Sequence, residues 1–207
     1  MIKTKTGKSS RIRQGDIYKS IEYLEYIKEK KGVLEISKII YPYVIVLTQD
    51  CDLKQDFVNR KEKKVKPEKT QDKYLISVLV APLFNIEHFK KGEHFSELEL
   101  HMRDDIPWDK TEGDKIRKNE LPRYHYLKFP SELEIVDSII DFKHFFSINI
   151  ESLNKIRRKN FVCSVSELFR EEISDRFAFY LSRIGLPELK PKEGQMNTIK
   201  ELPPQIA

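Results

Sequence analysis

The feature that most constrains the fold is the run Tyr41–Gln49, with the sequence YPYVIVLTQ. Its centre is apolar and β-branched, and Pro42 before it and polar residues after it mark its limits. A short continuous apolar run of this kind is typical of a β-strand that is buried on both faces. A second run, YLISVLVAPLF, begins at Tyr74 and is stopped at Ala81-Pro82. We therefore predict two buried strands.

Other elements surround these strands. The segment Ser20–Ile36 fits an amphipathic helix, but it reads better as strands joined by a hairpin turn at Lys31-Gly32. Residues Val165–Ile184 carry an apolar stripe at helical spacing, with Gly185 at the C-terminal cap position, and predict a helix. Shorter strands are predicted at Gln14–Tyr18, at Tyr124–Leu127, at Ile135-Val136 and at Asp141-Phe142.

These elements predict an α+β fold: a small, strongly bent β-barrel or sheet from the first half, with added strands and a C-terminal helix packed against it. We expect one domain over residues 15–187. The remaining segments are a flexible basic N-terminus at 1–14, an inserted charged loop at 54–73, an irregular segment at 85–119 and an extended tail at 188–207.

The net charge of +5 and the pI of about 9.0 permit an anionic partner such as nucleic acid. Lysine is interleaved with Glu and Asp, however, so an ordinary solvated surface would have the same composition. No apolar run approaches the length of a membrane helix, and the basic N-terminus has no apolar segment behind it. We therefore predict a cytoplasmic protein.

The segment TQDCD follows the first buried strand and places two carboxylates around a thiol. A cysteine nucleophile needs a base or a cation nearby, and the flanking carboxylates disfavour a thiolate. The two Asp side chains of a continuing strand would share one face, where they could hold Mg²⁺ or cap a turn. No two His or Cys residues have the spacing of a metal site, so we assign no metal ligands, and the sequence requires no cofactor. The candidate catalytic residues are Thr48, Asp50, Cys51, Asp52 and His125.

Basic residues cluster at 54–73, at 115–123 and at Lys155–Lys159. Cations supply affinity for phosphate, and exposed aromatic rings beside them could stack on unpaired bases. The candidate nucleic-acid-binding residues are Arg60, Lys61, Lys63, Lys64, Arg117, Lys118, Arg123 and Tyr124.

The elements Gly15-Asp16-Ile17 and Pro42–Thr48 resemble the PemK/MazF-like small β-barrels of toxin–antitoxin systems, over roughly residues 1–80. The resemblance implies a small β-barrel of the SH3-like kind in this part of the chain. It also implies that Thr48 stands in place of the family's catalytic Ser or Thr. Where the family has a catalytic Arg before the Pro, this chain has Tyr41. A hydroxyl without that cation cannot easily stabilise the charge of a phosphorane-like transition state, so we expect no toxin-type ribonuclease activity.

Most of the chain is also similar to bacterial proteins, often phage- or defence-linked, that combine a QDCD segment with a late helix of the RFAFYLSRIGLP type. Gln49–Asp52 and Arg176–Pro187 carry this likeness. The combined expectation is a nucleic-acid-associated module of a phage-defence or toxin–antitoxin type system. Two alternatives stay open: a hydrolase or nuclease that uses Thr48–Asp52, with or without a metal, and a module or homodimer that binds protein. Whether the chain is an enzyme is not decided by the sequence.

Overall fold

The computed structural model describes residues 1–63 and 71–183. The helices are α1 (Asp50–Lys63), α2 (Ile86–Lys90), α3 (Thr111–Arg117), α4 (Ile150–Asn160) and α5 (Glu167–Leu181). The strands are β1 (Thr4–Lys5), β2 (Asp16–Lys30), β3 (Val33–Val46), β4 (Ser77–Pro82), β5 (Phe84–Asn85), β6 (Tyr124–Leu127), β7 (Ser138–Asp141), β8 (Phe146–Asn149) and β9 (Phe161–Val165). The predicted α+β class is confirmed.

Two antiparallel sheets contain all nine of these strands. The larger sheet has the order β1-β9-β2-β3-β4-β8, and the smaller has the order β5-β7-β6. Among the described residues β1 and β8 are the two open edges of the larger sheet, and no hydrogen-bonded ladder closes it into a barrel. None of the helices described is long and apolar enough to cross a membrane.

The prediction of a strand buried on both faces is confirmed at the end of β3. Val44 and Val46 face one hydrophobic cluster, together with Tyr18 of β2 and Val80 of β4. Ile45 points to the other side of the sheet and belongs to a second cluster. Both faces of the sheet are covered here, so every side chain from Val44 to Val46 is apolar. The sequence therefore lacks the alternation of apolar and polar residues that is usual in a half-buried strand.

The predicted hairpin turn at Lys31-Gly32 is also confirmed. Both residues have positive φ, 53° and 77°, between Lys30 and Val33, which pair across the strands. This combination matches a two-residue type I′ turn, whose twist suits antiparallel strands. Glycine adopts the second position without a steric penalty.

The structure differs from the prediction in the charged segment that follows β3. Helix α1 extends over Asp50–Lys63, where a loop was predicted from residue 54, and residues 64–70 of that loop lie outside the described residues. Acidic residues in the first turn favour the N-terminus of a helix. Arg60 donates to buried Asp56 one turn away, at 2.9 Å. An ion pair of this kind compensates for the low apolar content that argued against a helix.

Three further differences concern local structure. Residues 1–14 are not loose: β1 pairs with β9, and Ile2 and Ile12 are buried. The segment 85–119 contains α2, α3 and a short 3₁₀ turn at Ser96–Leu98. Ile135-Val136 lies outside any strand.

Helix α5 confirms the predicted late helix. The predicted tail at 188–207 lies outside the described residues.

Candidate nucleic-acid interface

The predicted catalytic segment lies at the junction between β3 and α1. The Thr48 hydroxyl oxygen accepts a hydrogen bond from the backbone N–H of Leu79 at 2.6 Å. The neighbouring N–H of Leu47 donates to the Leu79 carbonyl at 2.8 Å. The Thr48 hydroxyl therefore continues the pairing between β3 and β4 past the last residue of the strand.

Asp50 is held by the N-terminal segment. The Arg11 guanidinium donates to its two carboxylate oxygens at 2.9 and 2.7 Å, and the Gln14 N–H donates at 3.3 Å. Partial burial alone would raise the pKa of Asp50, but the bonds from Arg11 hold it below the ordinary value. A carboxylate engaged in this way joins residues 11–14 to α1 and is a poor general base.

Cys51 and Asp52 are exposed in the first turn of α1. The Cys51 sulfur lies 3.6 Å from both the Gln49 side-chain oxygen and an Asp52 carboxylate oxygen. Across residues 1–63 and 71–183, no group of three His, Cys, Asp or Glu side chains is arranged to hold a metal ion. These residues therefore form a solvated helix start.

The two cysteines differ enough to give a direct test. Cys51 is exposed, whereas Cys163 is buried in β9, and burial raises the pKa of its thiol to about 12. We expect a thiol reagent at neutral pH to label one cysteine in the native protein and two after denaturation, because the thiolate is the reactive species. Peptide mass mapping would identify the site. Native labelling of Cys163 at the rate of Cys51 would contradict the described packing of β9.

His125 does not share the surroundings of Thr48–Asp52. It is fully buried on β6, and burial, together with the charge of Arg176, lowers its pKa to about 3. Its Nδ1 atom has no hydrogen-bond partner among the described residues. Within the described ranges no hydrogen bond or ion pair joins His125 to Thr48, Asp50, Cys51 or Asp52. The structure therefore does not assemble the five predicted catalytic residues into one site.

The predicted nucleic-acid-binding cations are mostly paired with carboxylates. Arg60 contacts Asp56 and Glu151, Arg117 and Lys118 contact Asp114, and Arg123 contacts buried Asp141. Lys61 lies over the ring of Phe57 at 4.7 Å. Lys63 ends α1, and Lys64 lies outside the described residues. The positive charge that the sequence places at these positions is therefore largely compensated.

Tyr124 is no exposed stacking platform. Its ring is half-buried, packs edge-on against Phe89 with centroids 5.1 Å apart, and lies beneath the guanidinium of Arg123 at 5.0 Å. Burial raises the pKa of its hydroxyl. The ring consequently serves the packing between β6 and α2.

A different group of cations is compensated less completely. Lys8 of the N-terminal segment donates to the backbone carbonyl of Arg158 at 2.9 Å, and Arg157 donates to the backbone carbonyl of Ser9 at 2.7 Å. Lys8, Arg11, Arg157 and Arg158 line one narrow cleft. We call these four residues the basic surface; Arg11 pairs with Asp50, and the other three form no ion pair with a carboxylate among the described residues. Carbonyl acceptors fix the side chains of Lys8 and Arg157 without cancelling their charge.

Helix α4 carries half of the basic surface for local reasons. Asn149 caps its start by accepting hydrogen bonds from the N–H groups of Glu151 and Ser152, at 3.0 and 3.1 Å. Ile150 and Leu153 anchor the helix in the core. Its basic residues fall in the last turn, where they suit the negative end of the helix dipole. The helix thus presents its cations at one end.

One acidic group lies behind the basic surface. Asp16 is buried in the same cleft wall and accepts hydrogen bonds from the Arg13 N–H at 2.9 Å, the Tyr18 hydroxyl at 3.1 Å and the Ser164 hydroxyl. Burial raises the pKa of Asp16 despite these bonds. Its carboxylate is therefore engaged inside the protein, and the charge that reaches solvent at the cleft is positive.

The sequence contains a signal for this surface, because residues 155–159 and the N-terminus are both basic. What sequence reasoning missed is that the two segments meet, although Lys8 and Arg158 are 150 residues apart.

No protein-family model matches the chain, and no curated protein matches it either.

Proposed function

We propose that this chain is a nucleic-acid-binding module and that its ligand binds at the basic surface. The observation that carries the proposal is the meeting of two basic segments through carbonyl contacts. Among the described residues, Lys8, Arg157 and Arg158 form no ion pair with a carboxylate. Arg60, Arg117 and Arg123 of the other basic clusters do. Uncompensated cations held in place are what a phosphate backbone requires.

The shape of the surface favours a flexible strand over a duplex groove. Helix α4 offers only its last turn, and the cleft between it and the N-terminal segment is narrow. Partly buried Phe161 forms part of the cleft wall, beside the cations. The Phe161 ring packs edge-on against Tyr18 with centroids 6.0 Å apart, so it forms a wall of the cleft and not a stacking platform. Cations that can follow a backbone are the part of a single-strand site that this surface supplies. We propose single-stranded RNA or DNA as the ligand class.

The resemblance alone supports two further parts of the proposal. The cellular context is a cytoplasmic phage-defence or toxin–antitoxin type system, and the large sheet is bent in the SH3-like manner. Tyr41, in place of the family's catalytic Arg, is buried and stacks on Phe146 with centroids 5.2 Å apart. That position is therefore part of the core. The proposal accordingly includes no toxin-type ribonuclease activity. No contact within residues 1–63 and 71–183 favours the hydrolase alternative at Thr48–Asp52.

The test compares two double variants that remove the same charge. We expect Arg157→Ala with Arg158→Ala to weaken binding of a fluorescent single-stranded oligonucleotide, measured by anisotropy between about 50 and 200 mM salt, and to reduce the salt slope by about 1.4. Arg117→Ala with Lys118→Ala is the matched control, because both cations already pair with Asp114. It should leave the slope nearly unchanged.

A second pair of variants separates charge from structure. Arg157→Lys with Arg158→Lys keeps the charge and should retain most of the affinity, and circular dichroism should show that all variants are folded. Equal loss in the two alanine doubles would mean that binding follows net charge alone. Binding that does not depend on salt would exclude the basic surface as the phosphate site.

A further inference from the structure

The distal half of the β2–β3 hairpin, residues 22–40, projects from the rest of the fold. Strand β9 pairs with β2 only at Asp16–Tyr18, and β4 pairs with β3 only at Val44–Val46. Beyond these points, no other described strand pairs with either edge of the hairpin. We call residues 22–40 the arm.

The two faces of the arm differ in chemistry. Cross-strand pairing places Ile27 opposite Ile36 and Leu34 opposite Glu29, so these side chains share a face. The aliphatic residues of that face are each at least half exposed: Leu24, Ile27, Leu34, Ile36 and Ile40. We call these five residues the aliphatic stripe. A continuous exposed patch of this kind marks an interaction site more often than it marks ordinary surface.

The opposite face carries Tyr23 and Ile39 at the base of the arm, where they pack against the core, and beyond them it is mainly polar. The Tyr26 hydroxyl donates to Glu35 at 3.4 Å, the Ser37 hydroxyl donates to Glu25 at 2.7 Å, and Lys28 lies over the Tyr26 ring at 4.8 Å. The exposed aliphatic residues of the aliphatic stripe are therefore concentrated on one face of the arm.

The aliphatic stripe leads into a cavity of about 310 Å³ at the base of the arm. Ile40 belongs both to the stripe and to the cavity wall. The cavity is lined mainly by apolar and aromatic side chains, including Phe84 and Phe95. The stripe and the cavity therefore meet at Ile40, with a flat part on one side and on the other a recess that could take a large side chain.

On the stripe face and in the cavity wall, carboxylates outnumber lysines, although the whole chain is basic. Glu29 lies on the stripe face, and Glu93 and Glu97 line the cavity; none of the three forms an ion pair with another described residue. The only lysine of the stripe face, Lys38, already pairs with Glu22 at 3.1 Å. An occupant of this surface must therefore supply positive charge as well as apolar side chains.

We propose that the aliphatic stripe and the cavity bind a segment of another protein in which aliphatic residues are flanked by Lys or Arg. The surplus carboxylates repel a nucleic acid, and they also repel the same face of a second copy. Leu34 and Ile40 lie six residues apart, which sets a length of about 20 Å. An extended segment of about six residues would cover this length. The inference is independent of the proposed nucleic-acid function.

The test uses two soluble synthetic peptides: one alternates leucine with lysine, and the other alternates leucine with glutamate. We expect the lysine peptide to bind the full chain, measured by calorimetry, and the glutamate peptide not to bind. Ile36→Ser should weaken binding at least about tenfold because it removes an exposed apolar anchor from the stripe. The double variant Glu93→Gln with Glu97→Gln should weaken it less and reduce its salt dependence.

Val33→Ser is the matched control, because Val33 is exposed near Ile36 but lies on the polar face, opposite Lys30. It should bind the lysine peptide like the parent chain. Failure of the lysine peptide to bind, or equal loss in Val33→Ser and Ile36→Ser, would overturn the proposal. Sedimentation provides a further outcome: self-association that Ile36→Ser abolishes would assign the surface to a second copy instead.

Discussion

The Arg123→Ala variant is expected to lose about 3–5 kcal/mol of unfolding free energy, because it leaves a buried carboxylate without its cation. Arg123 donates to the two oxygens of Asp141 at 2.8 and 2.5 Å. The Asp141 side chain is inaccessible to solvent, and its remaining contacts are the Lys143 N–H at 3.0 Å and His144 at 3.6 Å. These contacts cannot replace the charge of a guanidinium.

Urea denaturation at neutral pH measures this loss. Arg117→Ala is the control, since Arg117 pairs with Asp114 at the surface, where solvent screens the interaction. The double variant Arg123→Gln with Asp141→Asn removes both charges and should recover a large part of the stability. If Arg123→Ala were no less stable than Arg117→Ala, Asp141 would have to be accessible to water.

Acidification should destabilise the protein through its buried histidines. Burial lowers the pKa of His94 to about 4 and that of His125 to about 3. An unfolded histidine binds its proton near pH 6.5, so between that pH and the folded-state value the unfolded chain holds more protons. Stability is therefore full above about pH 6.5 and falls as the pH decreases. At pH 5 each histidine should contribute a loss of about 2 kcal/mol.

The measurement is the difference in unfolding free energy between about pH 7 and pH 5. We expect this difference to shrink by about 2 kcal/mol in His125→Leu and by a similar amount in His94→Leu. Any constant effect of either substitution cancels in the difference. His88→Leu, at an exposed histidine, is the control and should retain the parent difference. A parent-like difference in His125→Leu would show that His125 is protonated in the folded state.

The elements that sequence reasoning located are those whose signal lies within a few neighbouring residues. The run at Val44–Val46 needs no alternation because both faces of the sheet are covered. The turn at Lys31-Gly32 follows from the need for positive φ at both positions. Helix α1 was missed because few of its residues are apolar; Leu53 anchors it in the core, and Arg60 pairs with buried Asp56.

The candidate sites depended on longer distances. The charges of Arg60 and Arg123 looked available in the sequence, but Glu151 lies 91 residues from Arg60, and Asp141 lies 18 residues from Arg123. His125 looked like a potential base next to aromatic residues, and its burial on β6 was not visible in the local sequence. Local composition counts charges without showing which of them are neutralised.

The sequence by itself determined the α+β class, the strand buried on both faces, the hairpin turn and helix α5, because hydrophobic periodicity and turn chemistry act over a few residues. Only the tertiary structure decided which cations remain uncompensated and which apolar face remains uncovered. Lys8 meets Arg158 across 150 residues, and the aliphatic stripe is exposed because β4 and β9 stop short of the arm. Both outcomes depend on where other elements end, and this is a property of the packed chain.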